Sequence, residues 1–202
     1  MWDERYGGDE YFYGTEPNDF LKQQAARIPA HGRVLCLGEG EGRNAVFLAG
    51  NGLDVTALDQ SAVGLAKAQR LAAARGLSIR TELADLASWH IQPGRWDAIV
   101  SIWCHLETGL RARVHAEVVA GLAPGGVLLL EAYTPAQLEF RTGGPKSLDL
   151  LPTLEGLRAE LRGLVVELGQ EIIRDVHEGK GHGGRSAVVQ VRALRTCASP
   201  SR

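Results

Sequence analysis

The 202-residue chain is predicted to adopt an α/β fold in which helices cover both faces of a mostly parallel sheet. Three observations support this prediction. Short apolar segments alternate with segments of helical periodicity along most of the chain. A turn with three glycines follows the first apolar segment, and an aspartate closes each of the next two. The last third of the sequence instead holds two long alternating segments, which are typical of an antiparallel pair.

Strands and helices are predicted in the order and at the spacing of βαβ units, which build parallel sheets covered on both faces. The predicted strands are short and apolar, and they span 33–38, 53–59, 77–85, 95–104 and 127–133. The predicted helices between them span 43–52 and 61–76, and a third begins at Gly109 and stops at the Pro-Gly-Gly of 124–126. Ser61 is a good N-cap for the second helix, and Gly76 can end it.

The C-terminal third is predicted to close the sheet with an antiparallel hairpin. We expect a helix over 154–163, then two long strands over 164–179 and 185–194 joined by the flexible, glycine-rich EGKGHGGR. The segment 135–153 is predicted to be a long loop, and loops of that length are usually functional. No linker interrupts the chain, so we expect one domain over 1–202 with its core at 31–196.

Composition excludes several classes of function. A formal net charge of -2 and a pI near 6.3 give no general attraction to nucleic acids or acidic membranes. The acidic, aromatic start MWDERYGGDEYFYG lacks the apolar core of a signal peptide, and no segment approaches the roughly 18 apolar residues of a membrane span. Cys36, Cys104 and Cys197 are odd in number and scattered, which favours reduced thiols and a cytoplasmic location.

The segment VLCLGEGEGRNAVFLA, residues 34–49, has the form of a nucleotide-binding loop. Gly40 to Ala45 fit the dinucleotide pattern G-x-G-x-x-A, whereas Gly38 to Gly42 fit the G-x-G-x-G pattern of S-adenosylmethionine (SAM) sites. Both patterns use glycine because the backbone must turn sharply and approach a ligand closely. Either match alone leaves the ligand open.

Carboxylates near the loop favour SAM over NAD. Glu39 and Glu41 would repel a pyrophosphate on the loop, whereas SAM carries a sulfonium and an ammonium. Asp59, at the end of the second strand, can hold ribose hydroxyls of either cofactor. Asp85, at the end of the third, can accept from an adenine amino group while the N–H of Leu86 meets a ring nitrogen. The alternative for both aspartates is helix capping.

Taken together, these segments resemble the class I SAM-dependent methyltransferases. The motifs VLCLGEGEG, VTALDQS, LADL, WDAIVSIWCHL and LAPGGVLLLEAY occur in the order that this family shows. The resemblance implies a Rossmann-like, seven-stranded, mostly parallel sheet with helices on both faces and a C-terminal antiparallel hairpin. YFYGTEPNDFL near the start and EGKGHGGRSAVVQ near the end are similar to the tellurite-resistance and thiopurine methyltransferase-like branch.

The resemblance also implies a set of cofactor contacts. An N-terminal segment, residues 1–30, is expected to cover SAM, with aromatic faces near the sulfonium. Cys36 stands where many of these enzymes have an acidic residue. The contacts of that acid are expected either to be lost or to be made by Glu39, which would then hold the amino-acid end of the cofactor. The candidate cofactor-binding residues are Tyr13, Gly38, Glu39, Gly40, Gly42, Asp59, Gln60, Asp85, Leu86 and Ser101.

The acceptor side is expected where the fourth strand ends and at the hairpin turn. His105 could orient or deprotonate an acceptor, and His182 and Arg185 could bind an anionic one. The alternative for His105 is a capping or core histidine, and the alternative for His182 and Arg185 is a solvated hairpin tip. Cys104 is expected to be a small buried hydrophobe.

We predict direct methyl transfer to a small soft nucleophile, either a chalcogen oxyanion such as tellurite or selenite, or a thiol. Another small O or N acceptor, or an NAD-dependent oxidoreductase, is the alternative. The sequence shows no metal-ligand motif. It also lacks the N/D-P-P-Y/F tetrad of many nucleic-acid methyltransferases, so no nucleic-acid acceptor is expected.

Overall fold

A computed structural model of the protein describes residues 2–196 and contains one seven-stranded sheet. The strands are β1 (Arg33–Leu37), β2 (Asp54–Asp59), β3 (Arg80–Leu83), β4 (Trp96–Ile102), β5 (Leu122–Tyr133), β6 (Val165–Glu178) and β7 (His182–Leu194). Their order across the sheet is β3-β2-β1-β4-β5-β7-β6. The first five strands pair in parallel, and β7 pairs antiparallel with both β5 and β6. The predicted fold class is therefore confirmed.

Helices connect the strands and cover the sheet. They are α1 (Trp2–Tyr6), α2 (Asp19–Gln24), α3 (Arg43–Gly50), α4 (Ala62–Ala74), α5 (Thr108–Gly121) and α6 (Leu154–Glu160). Ser61 caps α4 as expected, because its side chain accepts a hydrogen bond from the N–H of Gly64. None of the helices within residues 2–196 is both long and apolar enough to cross a bilayer.

Strand β1 shows why an unbroken apolar segment forms the centre of the sheet. Val34, Leu35, Cys36 and Leu37 are all at most 2% exposed. Leu35 and Leu37 pack into the apolar cluster on one face, and Val34 and Cys36 pack into the cluster on the other. Because alternate side chains point to opposite faces, a strand covered on both sides must be apolar throughout.

The strand order reverses beside β1, since β2 lies on one side of it and β4 on the other. In open α/β sheets, the connections from two such strands leave in opposite directions and open a crevice at their carboxyl ends. The ends of β1, β2 and β4 therefore define the place where a ligand would bind.

The C-terminal hairpin differs from the prediction at its turn. β7 begins at His182 rather than at 185, and only residues 179–181 form the turn. His182 pairs with Glu178 in the ladder, so it is part of a strand and is buried. Most of the predicted flexible turn is thus ordered strand. The loop 135–153 contains two short 3₁₀ helices, Pro135–Glu139 and Leu148–Leu150, and Cys197 lies outside the described residues.

Candidate functional site

A cavity of about 570 Å³ lies at the carboxyl ends of β1, β2 and β4. That volume is in the range usual for small-molecule sites. Its floor comes from the residues that follow these strands and β3, and its roof comes from the N-terminal segment, the loop at 143–145 and the hairpin turn. Residues of the floor include Gly38, Glu39, Asp59, Gln60, Asp85, Leu86, Trp103, Cys104 and His105; those of the roof include Tyr6, Phe12, Tyr13, Pro145 and His182.

The three loop glycines all adopt positive φ, at +61° for Gly38, +60° for Gly40 and +90° for Gly42. Only Gly38 lines the cavity. A Cβ on Gly40 would lie 2.6 Å from the hydroxyl of Tyr6, and one on Gly42 would lie 2.4 Å from the Cβ of Ala68. Gly40 and Gly42 therefore shape the loop and admit protein neighbours, where the sequence interpretation expected close approach of a ligand.

Asp59 ends β2 at the edge of the cavity and is 7% exposed. One carboxylate oxygen accepts a hydrogen bond from the N–H of Gly40 and the other from the N–H of Ser61, both at 2.8 Å. Burial raises the pKa of Asp59, and these backbone donors oppose that rise. Each oxygen keeps a second lone pair, so the carboxylate can still accept from ligand hydroxyls.

The other predicted adenosine contacts divide between the cavity and the core. Asp85, Leu86 and Gln60 line the cavity, and Asp85 also accepts from the N–H of Ala87 at 2.8 Å, which stabilises the turn after β3. Ser101 lies on β4, is 6% exposed and does not line the cavity. The structure therefore does not place Ser101 in the cavity wall, and its contact with the cofactor stays a prediction.

Glu39 occupies the N-terminus of α3. Its Oε1 accepts from the N–H groups of Asn44 and Ala45, at 2.9 and 2.8 Å. Burial raises the pKa of Glu39 to about 7, against the opposing effect of these two donors. The helix N-terminus, the usual position of a dinucleotide pyrophosphate, is already satisfied by a carboxylate.

Glu41 has a different role from the one expected for it. Its Oε1 lies 2.5 Å from the Nζ of Lys67, and both side chains are at most 3% exposed. Its Oε2 accepts from the N–H of Phe12 at 2.7 Å and from that of Tyr13 at 3.4 Å. The predicted repulsion of a pyrophosphate by Glu41 is therefore wrong, because Lys67 neutralises the carboxylate.

The N-terminal segment forms the roof by joining the glycine loop to the hairpin. Glu41 holds it from below, and the carbonyl oxygen of Phe12 accepts from the N–H of Lys180 at 2.7 Å. The ring of Tyr13 packs against that of His182, with 4.7 Å between centroids. One short segment thus covers both the expected cofactor half and the expected acceptor half.

His105 lies in the cavity wall just after β4. Its Nδ1 is 3.0 Å from the carbonyl oxygen of Leu150, which can only accept, so Nδ1 carries the proton. Burial lowers the pKa of His105 to about 4, so the ring is neutral near pH 7. The remaining nitrogen, Nε2, is buried without a hydrogen-bond partner among the described residues.

His182 lies opposite, beside Glu178. Its Nδ1 is 3.4 Å from Oε2 of Glu178. Burial lowers the pKa of His182, and the neighbouring Glu178 only partly offsets this. Burial also opposes ionisation of Glu178, but the hydrogen bond from His182 and the charge of Arg43 lower its pKa to about 2.

Trp103 is a site residue that sequence reasoning missed. It has a left-handed backbone at φ +59°, which is rare for a large side chain and typical of functional sites. Its ring stacks on Tyr133 at 4.4 Å, and its Nε1 donates to Oε2 of Glu178 at 2.5 Å. The sequence could have indicated Trp103 by its position directly after β4. Nothing in the sequence indicates that it bonds Glu178, which lies 75 residues later.

Two further predicted residues lie apart from the cavity chemistry. The side chain of Arg185 is exposed and does not line the cavity. Of β7, only its first residue, His182, lines the cavity roof. Arg185 is therefore not positioned to touch an acceptor bound there. Cys104 does line the cavity, yet burial raises the pKa of its thiol to about 12, which keeps it protonated and supports the packing role.

Known proteins resemble both the sequence and the fold. Residues 34–126 match the family described as "Methyltransferase domain". The chain is 28% identical over 118 residues to the 2-heptyl-1-hydroxyquinolin-4(1H)-one methyltransferase of Mycobacteroides abscessus. The aligned segment covers 57% of this chain and 52% of that enzyme. The chain thus spans about half the length of this curated relative.

Solved structures extend the likeness to nearly the whole chain. One comes from work described as "Conversion of a Disulfide Bond into a Thioacetal Group during Echinomycin Biosynthesis". It has a TM-score of 0.75 at 22% identity, and the match covers 98% of this chain and 92% of the other chain. TehB from Haemophilus influenzae has a TM-score of 0.73 at 20% identity, with 96% and 66% covered. The chain therefore contains a segment, residues 34–126, that matches the methyltransferase-domain family, and it shares its overall fold with these solved structures.

Proposed function

We propose that the protein transfers a methyl group from SAM to a small-molecule acceptor. The observation that carries this proposal is the meeting of Gly38, Asp59 and Asp85 in one cavity beside a methyltransferase-type loop. When bound, SAM supplies a methyl group activated by its sulfonium. The chain would align the acceptor, exclude water and take up a proton.

The residues present fit this cofactor. Gly38 lines the cavity at the loop, the Asp59 carboxylate has lone pairs left for ribose hydroxyls, and Asp85 and Leu86 can meet the adenine. Glu39 and Tyr13 both line the cavity, which supports the proposed contact of Glu39 with the cofactor's amino-acid end and the proposed covering role of Tyr13. NAD fits less well, because Glu39 already satisfies the N–H groups of α3 on which a pyrophosphate would bind.

For the acceptor, we propose a small soft nucleophile, a thiol or a chalcogen oxyanion. Its support is the resemblance to the tellurite-resistance and thiopurine methyltransferase-like branch, together with the structural neighbour from sulfur chemistry in echinomycin biosynthesis. A second candidate is a flat molecule with an acidic hydroxyl. The aromatic rings of Tyr13 and Trp103 in the cavity wall favour it, as does the relative that acts on a hydroxyquinolone. A cytoplasmic site of action, predicted from the scattered cysteines, belongs to the same proposal.

Ligand-induced stabilisation tests the cofactor. S-adenosylhomocysteine (SAH) at about 100 times its dissociation constant should stabilise the fold by about 2.7 kcal/mol, whereas NAD should leave the melting temperature unchanged. Stabilisation by NAD alone would reject the methyltransferase proposal. A panel of tellurite, selenite, thiols, thiopurines and hydroxyquinolines, assayed for SAH release, then identifies the acceptor class.

A further inference from the structure

Glu178 is the carboxylate on which the acceptor half of the cavity converges. Its Oε2 accepts from Trp103 Nε1 and Arg43 Nη2, both at 2.5 Å, and lies 3.4 Å from His182 Nδ1. Its Oε1 accepts from Asn18 Nδ2 at 2.8 Å. Glu178 is 6% exposed and does not itself line the cavity, whereas Trp103, Arg43 and His182 do. Glu178 therefore acts on the site through other side chains.

We propose that Glu178 positions His182 as the base that takes a proton from the acceptor, so that the acceptor enters the site protonated, as a thiol or an acidic hydroxyl. This inference rests on the proposed methyl transfer and narrows its acceptor class. Glu178 is a positioning residue, and His182 is the residue that touches the acceptor.

The hydrogen bond to Glu178 determines which nitrogen of His182 is basic. An ionised carboxylate can only accept, so Nδ1 of His182 carries the proton and Nε2 keeps its lone pair. The negative charge beside Nδ1 also stabilises the imidazolium that forms when Nε2 takes a second proton. A carboxylate has this same function when it orients the histidine of a hydrolase triad.

His105 lacks that support. The partner of its Nδ1 is the carbonyl oxygen of Leu150, and no carboxylate of the described residues hydrogen-bonds to its ring. A cation formed on His105 would be buried without a counter-charge, which is costly. His105 therefore remains neutral through the reaction, and its Nε2 stays buried without a hydrogen-bond partner among the described residues.

The cations around the cavity leave little charge for a chalcogen oxyanion. Two arginines line it. Arg43 is paired with Glu178 at 2.5 Å. Arg5 lies over the rings of Trp2 and Phe12 at the exposed rim. Because Glu39 and Asp59 also line the cavity, an acceptor that enters uncharged is favoured over a preformed anion.

The proposed step balances without any further reactant. His182 Nε2 takes the proton of the acceptor S–H or O–H group, and the electron pair of that bond stays on the acceptor atom. That atom forms a new bond to the methyl carbon as the S–CH₃ bond of the sulfonium breaks. The electron pair of the broken bond remains on the sulfur, and the product is SAH. The imidazolium then returns its proton to solvent.

NMR of the whole chain tests the positioning role without turnover. In the wild type, the ¹⁵N shifts of His182 should show a protonated Nδ1 at neutral pH. In Glu178→Gln, the pKa of His182 should fall further, because the counter-charge is lost. Besides Glu178, the titratable and charged groups that surround His182 are Arg43, Arg5, His105, Tyr13 and Tyr133, and none of them is changed in this variant.

Kinetics of matched variants test the catalytic consequence. Glu178→Gln should lower kcat by about 100-fold, in the range usual for general-base catalysis, and move the acidic limb of its pH profile to lower pH. His182→Asn keeps an N–H donor for Glu178 but removes the base, and it should lower kcat similarly with little change in SAM affinity. Glu131→Gln removes a charge from the same buried network, where Glu131 bonds Arg174, Gln190 and Asn18, and should leave the pH profile unchanged.

A series of substituted thiophenols and hydroxyquinolines of increasing pKa completes the test. The rate ratio of wild type to His182→Asn should grow with acceptor pKa, because only a weakly acidic acceptor needs the base. An equal loss for all acceptors, or a His182 signal that is the same in Glu178→Gln, would overturn the inference. Absence of SAH release from every acceptor would instead reject the proposed function, and the NMR result would still decide the role of Glu178.

Discussion

Lys67 and Glu41 form an ion pair of 2.5 Å that is almost completely buried under the roof of the cavity. The same ammonium donates to the carbonyl oxygens of Tyr6, Gly8 and Glu10 at 3.2, 2.9 and 2.6 Å. The N-terminal segment is therefore wrapped around one charged side chain of α4, and the glutamate of the glycine loop holds the segment from the other side.

Lys67→Met should destabilise the fold by roughly 3–5 kcal/mol, because it leaves the Glu41 carboxylate buried without its partner. Urea denaturation measures this. The double variant Lys67→Met/Glu41→Gln should recover part of the loss. Asp54→Asn, which breaks an exposed pair with Arg80, is the matched control and should cost at most about 1 kcal/mol. Equal losses at the two pairs would contradict the role assigned to Lys67.

Asp59→Asn should weaken SAH binding at least about tenfold, a difference of about 1.4 kcal/mol, because one acceptor oxygen becomes a donor that faces a backbone N–H. Isothermal titration calorimetry measures the dissociation constant. Asp97→Asn is the control, since Asp97 accepts from Arg33 at the opposite end of the sheet. Unchanged SAH affinity in Asp59→Asn would remove Asp59 from the cofactor site.

Glu39→Gln should remove a pH dependence of cofactor affinity. Because burial raises the pKa of Glu39 to about 7, the wild type should bind SAM more weakly as the pH falls from 8 to 6. The substituted amide stays neutral, but its carbonyl oxygen can still accept from α3, so the fold should be retained. If wild type and variant bind SAM equally at pH 8, Glu39 does not contact the cofactor's ammonium.

His105 should make stability depend on pH in the acidic range. Its pKa is about 4 in the fold and about 6.5 when unfolded, so below pH 6.5 the unfolded chain binds the extra proton. The resulting stability is complete above that pH and is lost as the pH falls toward 4, by up to about 3 kcal/mol. His105→Gln should lose less stability than the wild type between pH 7 and 4, measured by denaturation at each pH. Parallel curves would contradict a buried neutral His105.

The parts of the site that sequence predicts are those fixed by strand geometry. Asp59 and Asp85 follow adjacent parallel strands, so their arrival at one edge of the sheet follows from the fold. The direction in which a side chain points is harder to predict from the sequence than the position of a strand end. His182 and Arg185 are three residues apart in one glycine-rich segment, yet His182 is buried in the cavity roof and Arg185 is exposed. The two side chains differ because β7 begins at His182. The first residue of a strand is hard to predict in a glycine-rich segment, since glycine is uncommon within strands.

Long-range partners could not be predicted at all. The sequence suggested that Glu41 acts on a ligand, because nothing near it reveals Lys67, which lies one helix later. The sequence predicts Glu178 only as a residue where a strand meets a turn, and nothing in it indicates that Glu178 holds Trp103 and Arg43. Such contacts depend on how the elements dock, and no local pattern encodes them.

The contacts of Glu178 also bear on when the site forms during synthesis. This carboxylate bonds Asn18 and Arg43, which precede it by 160 and 135 residues. A growing chain can complete its five parallel strands before β6 and β7 have been made. The acceptor wall then has no anchor for Trp103 and no His182. We therefore expect the methyl-donor half to be shaped first and the acceptor half only when β6 and β7 are in place.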